Sequence, residues 1–492
     1  MIRFDLTADD LFGNEAAEDE DERVFHAHLL TRDDLLPFDA PSNAIRIAMA
    51  YKGQGKSSLL RSLATRLKRS DDALVINITG AAVAPEISGH DPVKWARAWK
   101  RELYKLIALK FGAEIGFAWD DDSISLVEEA EKEGFRRRNI FSAIYDRLKP
   151  SVKVSAKASG VGLDAQLERV RLPISNHEEV VRRYLTGDVD QLWLIVDDID
   201  RNFRATKSEK AKIVGFFDAI RDMRNAIPQL RVRTSIRPNV YTSVRLEFES
   251  ISHIRQYLMQ ISWTEEQISE MLAKRIEGYL VRSAQLKSID LAVGKDQRDH
   301  QLISLLFETP VRWGESTKPI PTALYTFSVG RPRWLIELCK RAAARAFKKH
   351  DSKITIEHIR NEMEDFGEAR KSDLIAEFGA QCDQLADMFD AFHSKMEIYT
   401  TESLYQLIEE QILSKFSPSI AGLSGKARVN DVASFLFEVG LFNGRRDAGE
   451  KYEHLSFHQR PNAFKSLIGS EPSMRWEIHP AFRTALGLRP GY

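Results

Sequence analysis

The segment best suited to chemistry is residues 50–57, which read AYKGQGKS. It fits the phosphate-binding pattern G-x-x-x-x-G-K-[ST] except at the first position, where Ala50 replaces glycine. Gly53 and Gly55 allow the backbone to curl until its amides face a phosphate, and the helix that follows presents its positive N-terminus. The methyl group of Ala50 predicts altered loop geometry more than lost binding.

The lysine and the serine at the end of this loop have separate expected roles. Lys56 should reach the β- and γ-phosphates of ATP, and the Ser57 hydroxyl should ligate Mg²⁺. A glycine turn with an incidental lysine is the competing interpretation, but the loop follows a strand pattern and opens a helix pattern, which favours a phosphate-binding loop (P-loop). The loop residues predicted to bind the nucleotide are Gly53, Gln54, Gly55, Lys56, Ser57 and Ser58.

A second polar group follows the apolar run at residues 192–196. Asp197 is the predicted Mg²⁺-facing carboxylate, acting through water. Asp198 is the predicted catalytic base, which positions the attacking water more than it removes a proton, because an ordinary carboxylate is a weak base. The alternative is a cluster that caps the next helix, and this alternative fits Asp200 better than Asp197.

Three arginines are candidate sensors of the γ-phosphate. Arg237 ends the next strand pattern, at the place where ATPases with an additional strand carry a polar sensor; it could instead pair with a surface acid. Arg331 and Arg333 open a later helix in the sequence GRPR. An arginine at such a helix start can couple a helical lid to the γ-phosphate, whereas a solvated basic helix face is the competing interpretation.

Regular elements must position these residues. Residues 45–50 and 73–78 read as strands on either side of the loop and its helix, which is a βαβ unit and predicts a parallel sheet. The run at 192–196 predicts a central strand buried on both faces. An amphipathic helix is predicted over 91–112 and a hairpin over 151–168.

These motifs together resemble the bacterial P-loop ATPases of the KAP/STAND neighbourhood, within the additional-strand (AAA+-like) NTPases. The carrying segments are FGNEAAEDE at 12–20, KGQGKSS, DDIDR at 197–201, SIRPNVY, GRPRWLIEL and WEIHPAF. The resemblance covers most of the chain except residues 115–190. It implies ATP-dependent switching in a soluble branch with a Phe-Gly box that is often linked to antiviral defence.

The expected fold class is α/β, a three-layer P-loop NTPase core with a helical lid and a C-terminal winged-helix-like domain. The chain should begin with an acidic, solvated lead-in at 1–39. The ATPase core is predicted at 40–260, with an insertion at about 91–190 that the 141-residue separation of Lys56 and Asp197 supports. The lid is predicted at 261–375 and the winged-helix-like domain at 376–492.

Composition narrows the class of protein. The 492 residues carry a net charge of −1, but residues 1–40 alone hold 12 acidic and 3 basic side chains, so the remainder is basic. Two cysteines make no disulfide framework, and no stretch approaches the ~20 apolar residues that span a bilayer. We expect a soluble, cytoplasmic protein with no signal peptide and no membrane partner.

The sequence is compatible with three functions. The first is an Mg²⁺-dependent ATPase switch in defence or signalling, which binds ATP and ADP and acts as a homo-oligomer or with a separate effector protein. The second is a DNA-binding ATPase resembling origin-recognition or transposition-helper proteins, with Arg445, Arg446 and Lys451 on phosphates. The third is a scaffold that holds ATP without hydrolysing it. His479 is predicted to be a packed or turn histidine.

Overall fold

The computed structural model of this chain describes residues 2–69, 73–114, 126–127, 129–130, 133, 177–185, 191–292, 294–313, 316–423, 425–448, 451–457, 459–460, 462–464 and 474–489. The hairpin predicted over 151–168 lies outside these residues.

A five-stranded parallel sheet forms the centre of the first half of the chain. Its strands occur in the order β2-β3-β4-β1-β5, and every neighbouring pair is parallel. Strand β4 therefore lies between β1, which leads into the P-loop, and β3, which leads into the aspartates. This is the additional-strand arrangement that the sequence predicts. The strands are β1 (Ile45–Met49), β2 (Ala73–Thr79), β3 (Gln191–Asp197), β4 (Leu230–Ile236) and β5 (Leu258–Gln260).

Helices cover both faces of this sheet, as the continuous apolar run in β3 requires. Alternate residues of β3 face opposite layers: Leu192, Leu194 and Val196 pack with Trp99 and other residues of one cluster, while Trp193 and Ile195 belong to a second cluster. The core is thus a three-layer α/β structure. The helices of this part are α1 (Glu22–His28), α2 (Leu36–Asp39), α3 (Lys56–Leu67), α4 (Pro92–Glu114), α5 (His177–Leu185), α6 (Lys207–Ala226) and α7 (Pro238–Arg245).

The middle of the chain is mainly helical and shares one continuous apolar core with the N-terminal segment and the C-terminal region. Trp334, Leu338 and Phe366 are almost fully buried there. The elements are α8 (Glu265–Arg282), α9 (Lys295–Leu306), a hairpin of β6 (Val311–Trp313) and β7 (Ser316–Lys318), α10 (Ile320–Phe327), α11 (Pro332–Lys348), α12 (Ile356–Arg360) and α13 (Met363–Phe378). No helix within the described ranges is long and apolar enough to cross a membrane.

The C-terminal region combines helices with a four-stranded antiparallel sheet of order β10-β9-β11-β8. Aromatic rings fill its core, with Phe464 stacked 3.9 Å from Trp476. Its elements are α14 (Leu385–Asp390), β8 (Ile398–Tyr399), α15 (Thr401–Ile408) with a π-helical turn at Glu409–Leu413, α16 (Val429–Val439), β9 (Phe442–Ala448), β10 (Lys451–Leu455), β11 (Met474–Ile478) and α17 (Pro480–Arg483).

His479 lies at the junction of β11 and α17. It is buried, and its Nδ1 accepts a hydrogen bond from the Ala481 amide at 3.2 Å. Burial lowers its pKa to about 3, so the ring is neutral at pH 7. The prediction of a packed turn histidine is confirmed.

The acidic N-terminal segment packs against the helical core through its apolar side chains, while Glu18, Asp19, Asp21 and Glu22 are exposed as predicted. Phe12 is buried, and its ring lies 6.2 Å from that of Phe307 in the helical core. Arg275 of α8 donates to the Phe12 carbonyl, and Arg282 of the same helix binds the Asp10 carboxylate at 2.8 Å. The sequence did not predict this packing, because the arginines of α8 that bind Phe12 and Asp10 lie 263 and 272 residues away and have no local sequence signal.

We expect this N-terminal packing to be sensitive to acid. His28 is buried beside Arg275, and burial lowers its pKa from 6.5 to about 2. Below pH 6.5, His28 binds a proton in the unfolded state but not in the folded state. The contribution of His28 to the free energy of unfolding is therefore fully present above pH 6.5 and is lost as the pH falls. Hydrogen-exchange protection of residues 2–28, relative to intrinsic rates, should therefore drop between pH 7 and pH 5. His28→Gln should remove most of this drop; an equal drop in the variant would contradict the assignment.

Candidate nucleotide site

The P-loop has the backbone conformation that its glycines predict. Gly53 has φ +82° and Gly55 has φ +95°, in the left-handed region that favours glycine. A side chain at Gly53 would also meet Arg333, whose Cβ lies 3.0 Å from the position of the added carbon. The side chain of Gln54 closes the loop, because its Oε1 accepts a hydrogen bond from the Tyr51 amide at 2.7 Å.

Ala50, at the first position of the motif, continues the pairing of β1 into the start of the loop. Its amide donates to the Ile236 carbonyl at 3.3 Å and so extends the pairing of β1 with β4. The methyl group is fully buried in the same cluster as Trp193. The substitution thus adds packing under the loop.

Helix α3 presents an open N-terminus to the site. It begins at Lys56, its N-cap is Gly55, and no side chain of a described residue caps it by a hydrogen bond. The first amides of a helix have no intrahelical acceptors, and they carry the positive end of the helix dipole. Amides left open in this way suit an anion such as a phosphate.

The Lys56 ammonium group lies inside the loop. Its Nζ donates to the carbonyls of Ala50 at 2.7 Å and Tyr51 at 3.2 Å, and the residue is 9% exposed. Burial lowers the pKa of Lys56, while the nearby carboxylates of Asp200, Glu377 and Asp197 act in the opposite direction. The Lys56 ammonium group is therefore a buried cation with three carboxylates nearby.

The Asp197 carboxylate is fixed by a residue that the sequence reasoning missed. Its Oδ1 accepts from the Ser235 hydroxyl at 2.6 Å and from the Asp198 amide at 2.9 Å. Ser235 is fully buried in β4, next to β3 in the sheet. The only available signal was a small hydroxyl residue two positions before Arg237, at the end of a strand that had to pair with β3.

Asp198 lies just beyond the sheet and lines the cavity. It has φ +53°, a left-handed conformation that aspartate tolerates better than most residues at a cost of order 1 kcal/mol. Burial raises its pKa, and the neighbouring Asp197, Asp200 and Glu18 add to the rise because each opposes a further negative charge. Strain and a raised pKa in a cleft are typical of a functional carboxylate.

Arg237 is paired with Asp200 in this structure. The Arg237 Nε and backbone N donate to Asp200 Oδ2 at 3.0 and 2.8 Å, and Asp200 is 3% exposed. The acid is thus buried rather than at the surface. The capping interpretation of Asp200 is wrong, because the side chain that caps α6 belongs to Thr206.

The two arginines of the GRPR sequence lie in different environments. Arg333 lines the cavity, and its amide donates to the Gly53 carbonyl at 3.2 Å. Arg331 is 5% exposed and donates to Glu377 Oε2 at 2.8 Å and to the Lys52 carbonyl at 3.2 Å. Among the described residues that line the cavity, neither Arg331 nor Arg237 is present.

A cavity of about 370 Å³ at the carboxyl edge of the sheet is lined by the P-loop, Asp198 and Arg333, whereas Asp197 is not among the described residues that line it. This volume is within the range of small-molecule sites, about 300–1,000 Å³. Its lining includes residues 52–59 and Asp198, together with Arg333, Met271 and Trp263. The Trp263 indole donates to the Gln54 carbonyl at 2.9 Å, which ties the end of β5 to the loop.

The N-terminal segment completes the cavity, which the sequence reasoning did not predict. Residues 14–18 and 28–32 contribute to its lining, together with Phe25 and Leu35. Arg61 of α3 donates to the carbonyls of Ala17 and Glu20 and so holds this segment against the P-loop helix. The cavity is consequently polar at the loop and partly apolar beyond it.

Comparisons with known proteins give only distant similarity. No family model matches the sequence, and no curated protein matches it. Solved structures similar to this chain include the ORC2 protein of Aeropyrum pernix in ADPNP–ADP complexes, at 11% identity over 96% of this chain and 95% of that chain, with a TM-score of 0.40. Cdc6p of Pyrobaculum aerophilum has 13% identity over 97% and 96%, with a TM-score of 0.30. Drosophila ORC bound to DNA has 10% identity over 90% and 88%, with a TM-score of 0.32. The fold assignment rests on the strand order and on the conformation of the P-loop.

Proposed function

We propose that this protein is an Mg²⁺-dependent switch that binds and hydrolyses ATP. One observation carries the proposal. A cavity at the carboxyl edge of a parallel sheet is lined by the P-loop and the uncapped N-terminus of α3, by the strained carboxylate Asp198 and by Arg333 of the helical region. In sheets of this kind, ligands bind outside the carboxyl ends of the strands.

The residues present fit ATP and Mg²⁺. The uncapped amides of α3 and the Lys56 ammonium group suit the phosphates. The apolar side of the cavity, with Trp263 and Met271, suits the adenine ring. Ser57 and Asp197 would hold Mg²⁺, which in proteins is usually bound by one or two such groups and by substrate phosphates. When bound, the metal neutralises charge that develops on the phosphates.

Each protein group then has one task in hydrolysis. Lys56 and the loop amides bind and orient the β- and γ-phosphates. Asp198 accepts a hydrogen bond from the attacking water and orients it, and Ser235 keeps the Asp197 carboxylate in position. Arg333 neutralises negative charge on the γ-phosphate, and Arg237 is proposed to sense that phosphate through its pairing with Asp200. Such positioned charges commonly supply most of the rate enhancement.

Direct titration tests the binding step. Mg²⁺-ATP titrated into the protein in a calorimeter should give saturable heat, and saturating ATP should raise the melting temperature, because a ligand that binds only the folded state stabilises it. The control is the same titration with a neutral nucleoside, which lacks the phosphates that the loop recognises. No heat and no stabilisation at millimolar ATP would reject the proposal.

We propose that Arg333 senses the γ-phosphate of ATP from the helical lid. Arg333→Ala should weaken binding of ATP by about 10-fold or more while changing ADP affinity less, because a hydrogen bond to a charged group is worth about 1.5–3 kcal/mol. The measurement is competition of each nucleotide against a fluorescent ADP analogue. Lys348→Ala, an exposed position near the end of the same helix, is the matched control. An unchanged ratio of ATP to ADP affinity would refute the assignment.

DNA binding is the second candidate function. It is favoured by the C-terminal region, where α16 is followed by the β9–β10 hairpin that carries Arg445, Arg446 and Lys451. Helices followed by such a hairpin are proposed here as a winged-helix-like module, and one of the similar structures is an ORC bound to DNA. Arg331, Arg341 and Arg345 of the α11 segment are each paired with a glutamate, and Arg445 of the hairpin also lies 3.9 Å from Glu477.

Fluorescence anisotropy with a labelled duplex tests this candidate. The affinity should fall steeply with salt and should drop when Arg445, Arg446 and Lys451 are replaced together by alanine. An absence of binding at low salt with ATP present would exclude it. The other proposed partners, a second copy of the chain or a separate effector in a defence or signalling system, rest on the sequence resemblance.

A further inference from the structure

A buried carboxylate outside the cavity joins three parts of the molecule. Glu377 lies in the last turn of α13, and its side chain is 1% exposed. Its Oε1 accepts a hydrogen bond from the Lys52 amide of the P-loop at 2.9 Å. Its Oε2 accepts from Arg331, at the start of the lid helix α11, at 2.8 Å. Both oxygens are therefore committed, one to the loop and one to the lid.

The end of α13 also forms hydrogen bonds with the junction between β4 and α7. The Glu377 carbonyl accepts from the Asn239 side chain at 2.9 Å, and the Gln381 side chain donates to the Asn239 carbonyl at 2.9 Å. Asn239 is buried in the first turn of α7, two residues after Arg237. The end of α13 thus bonds to the P-loop and to the β4–α7 junction at once.

Phe378, the residue after Glu377, packs between the P-loop and the C-terminal region. The ring of Phe378 lies 5.7 Å from the ring of Tyr51 in the P-loop and 6.5 Å from the ring of Phe435 in α16. All three aromatic residues are buried. Packed side chains therefore run without interruption from the P-loop through the end of α13 to α16.

This junction cannot relax gradually. If one partner of a buried ion pair moves away, the other charge is left without compensation, which is strongly unfavourable. A shift of α13 would therefore carry Glu377, Arg331 and the Lys52 peptide together, or would break the pair. Closely packed interfaces respond in this all-or-none manner rather than by continuous deformation.

We infer that Glu377 is a positioning residue that couples the P-loop to helix α16 of the C-terminal region. The inference rests on the proposed function, because the state that the coupling transmits is nucleotide binding. Because a coupling free energy acts in both directions, a perturbation at α16 should also be detected at the P-loop.

Hydrogen exchange in the nucleotide-free protein tests the coupling itself. Phe435→Ala should speed exchange of residues 50–57 several-fold. The matched control Phe437→Ala, on the same helix and also buried but packed against Trp476 and Phe442, should not. In a Glu377→Gln background, the effect of Phe435→Ala on the loop should shrink to less than half. Equal loop exchange in both phenylalanine variants, or an undiminished effect in the Gln background, would overturn the inference.

Nucleotide affinity supplies the second readout. Glu377→Gln, which keeps the shape of the side chain but not its charge, should raise the Kd for a fluorescent ATP analogue about 10-fold, as expected for a coupling of typical size. Glu337→Gln is the matched control, because Glu337 pairs with the buried Arg370 and joins the same two helices away from the loop. An equal change in both variants would reduce Glu377 to a structural role. If the wild-type protein bound no ATP, the proposed function would fail, while the exchange experiment would still decide the coupling.

Discussion

Replacing Lys56 with alanine should reduce kcat/KM for ATP hydrolysis by at least about 100-fold, the usual effect of removing one preorganised charge from a reaction centre. The lysine is the only described cation whose ammonium group lies within the loop, held by the carbonyls of Ala50 and Tyr51. Asp197 and Asp200 surround it with negative charge that would otherwise repel the phosphates. The loss should therefore appear in binding as well as in turnover.

The measurement is phosphate release at several ATP concentrations, together with the Kd for a fluorescent ATP analogue. Lys68→Ala is the matched control, since Lys68 is an exposed lysine at the other end of the same helix. Its kinetics should equal those of the wild type. If Lys56→Ala hydrolysed ATP at the wild-type rate, the P-loop would not be the reaction site.

Asp198→Asn should separate binding from hydrolysis. We expect ATP affinity within a few-fold of wild type and turnover lower by about 100-fold or more, since a general acid–base group typically contributes 10²–10⁴. The amide can still occupy the cavity wall, but it cannot accept the water's hydrogen bond with the strength of a carboxylate. The variant should therefore accumulate in the ATP-bound state, which single-turnover experiments would detect.

The same substitution should stabilise the protein at neutral pH. Burial and the adjacent acids raise the pKa of Asp198 above its ordinary value of 3.8. Because the folded state then binds the proton more tightly than the unfolded state, the ionised carboxylate destabilises the fold at pH 7. Asparagine removes that cost, so the melting temperature should rise at pH 7.5, and the gain should shrink as the pH falls towards 4. Asp290→Asn, at an exposed position outside the cavity lining, should show no such gain. A lower melting temperature for Asp198→Asn at pH 7.5 would contradict the electrostatic account.

Features encoded within a few neighbouring residues could be predicted from the sequence. The P-loop depends on Gly53, Gly55 and Lys56 within one turn, and the aspartates follow directly after an apolar strand. The position of β4 between β1 and β3 was also predictable, because the resemblance specifies that topology. These predictions needed no knowledge of distant contacts.

Features that depend on distant partners could not be predicted. Arg331 and Arg333 are two residues apart in the same sequence context, yet Arg331 turns away from the cavity because Glu377, 46 residues later, neutralises it in a buried position. Glu377 in turn binds the Lys52 amide across 325 residues. The packing of the N-terminal segment could not be predicted for the same reason, since its backbone is held by Arg275 of α8 and Arg61 of α3.

Phosphate release by the wild-type protein tests whether the P-loop cavity hydrolyses ATP. With ATP and Mg²⁺, we expect steady release that saturates with ATP and stops when the metal is chelated. Release that is indistinguishable from a protein-free blank, in a sample shown to bind ATP, would contradict hydrolysis and would support a scaffold that holds ATP without cleaving it.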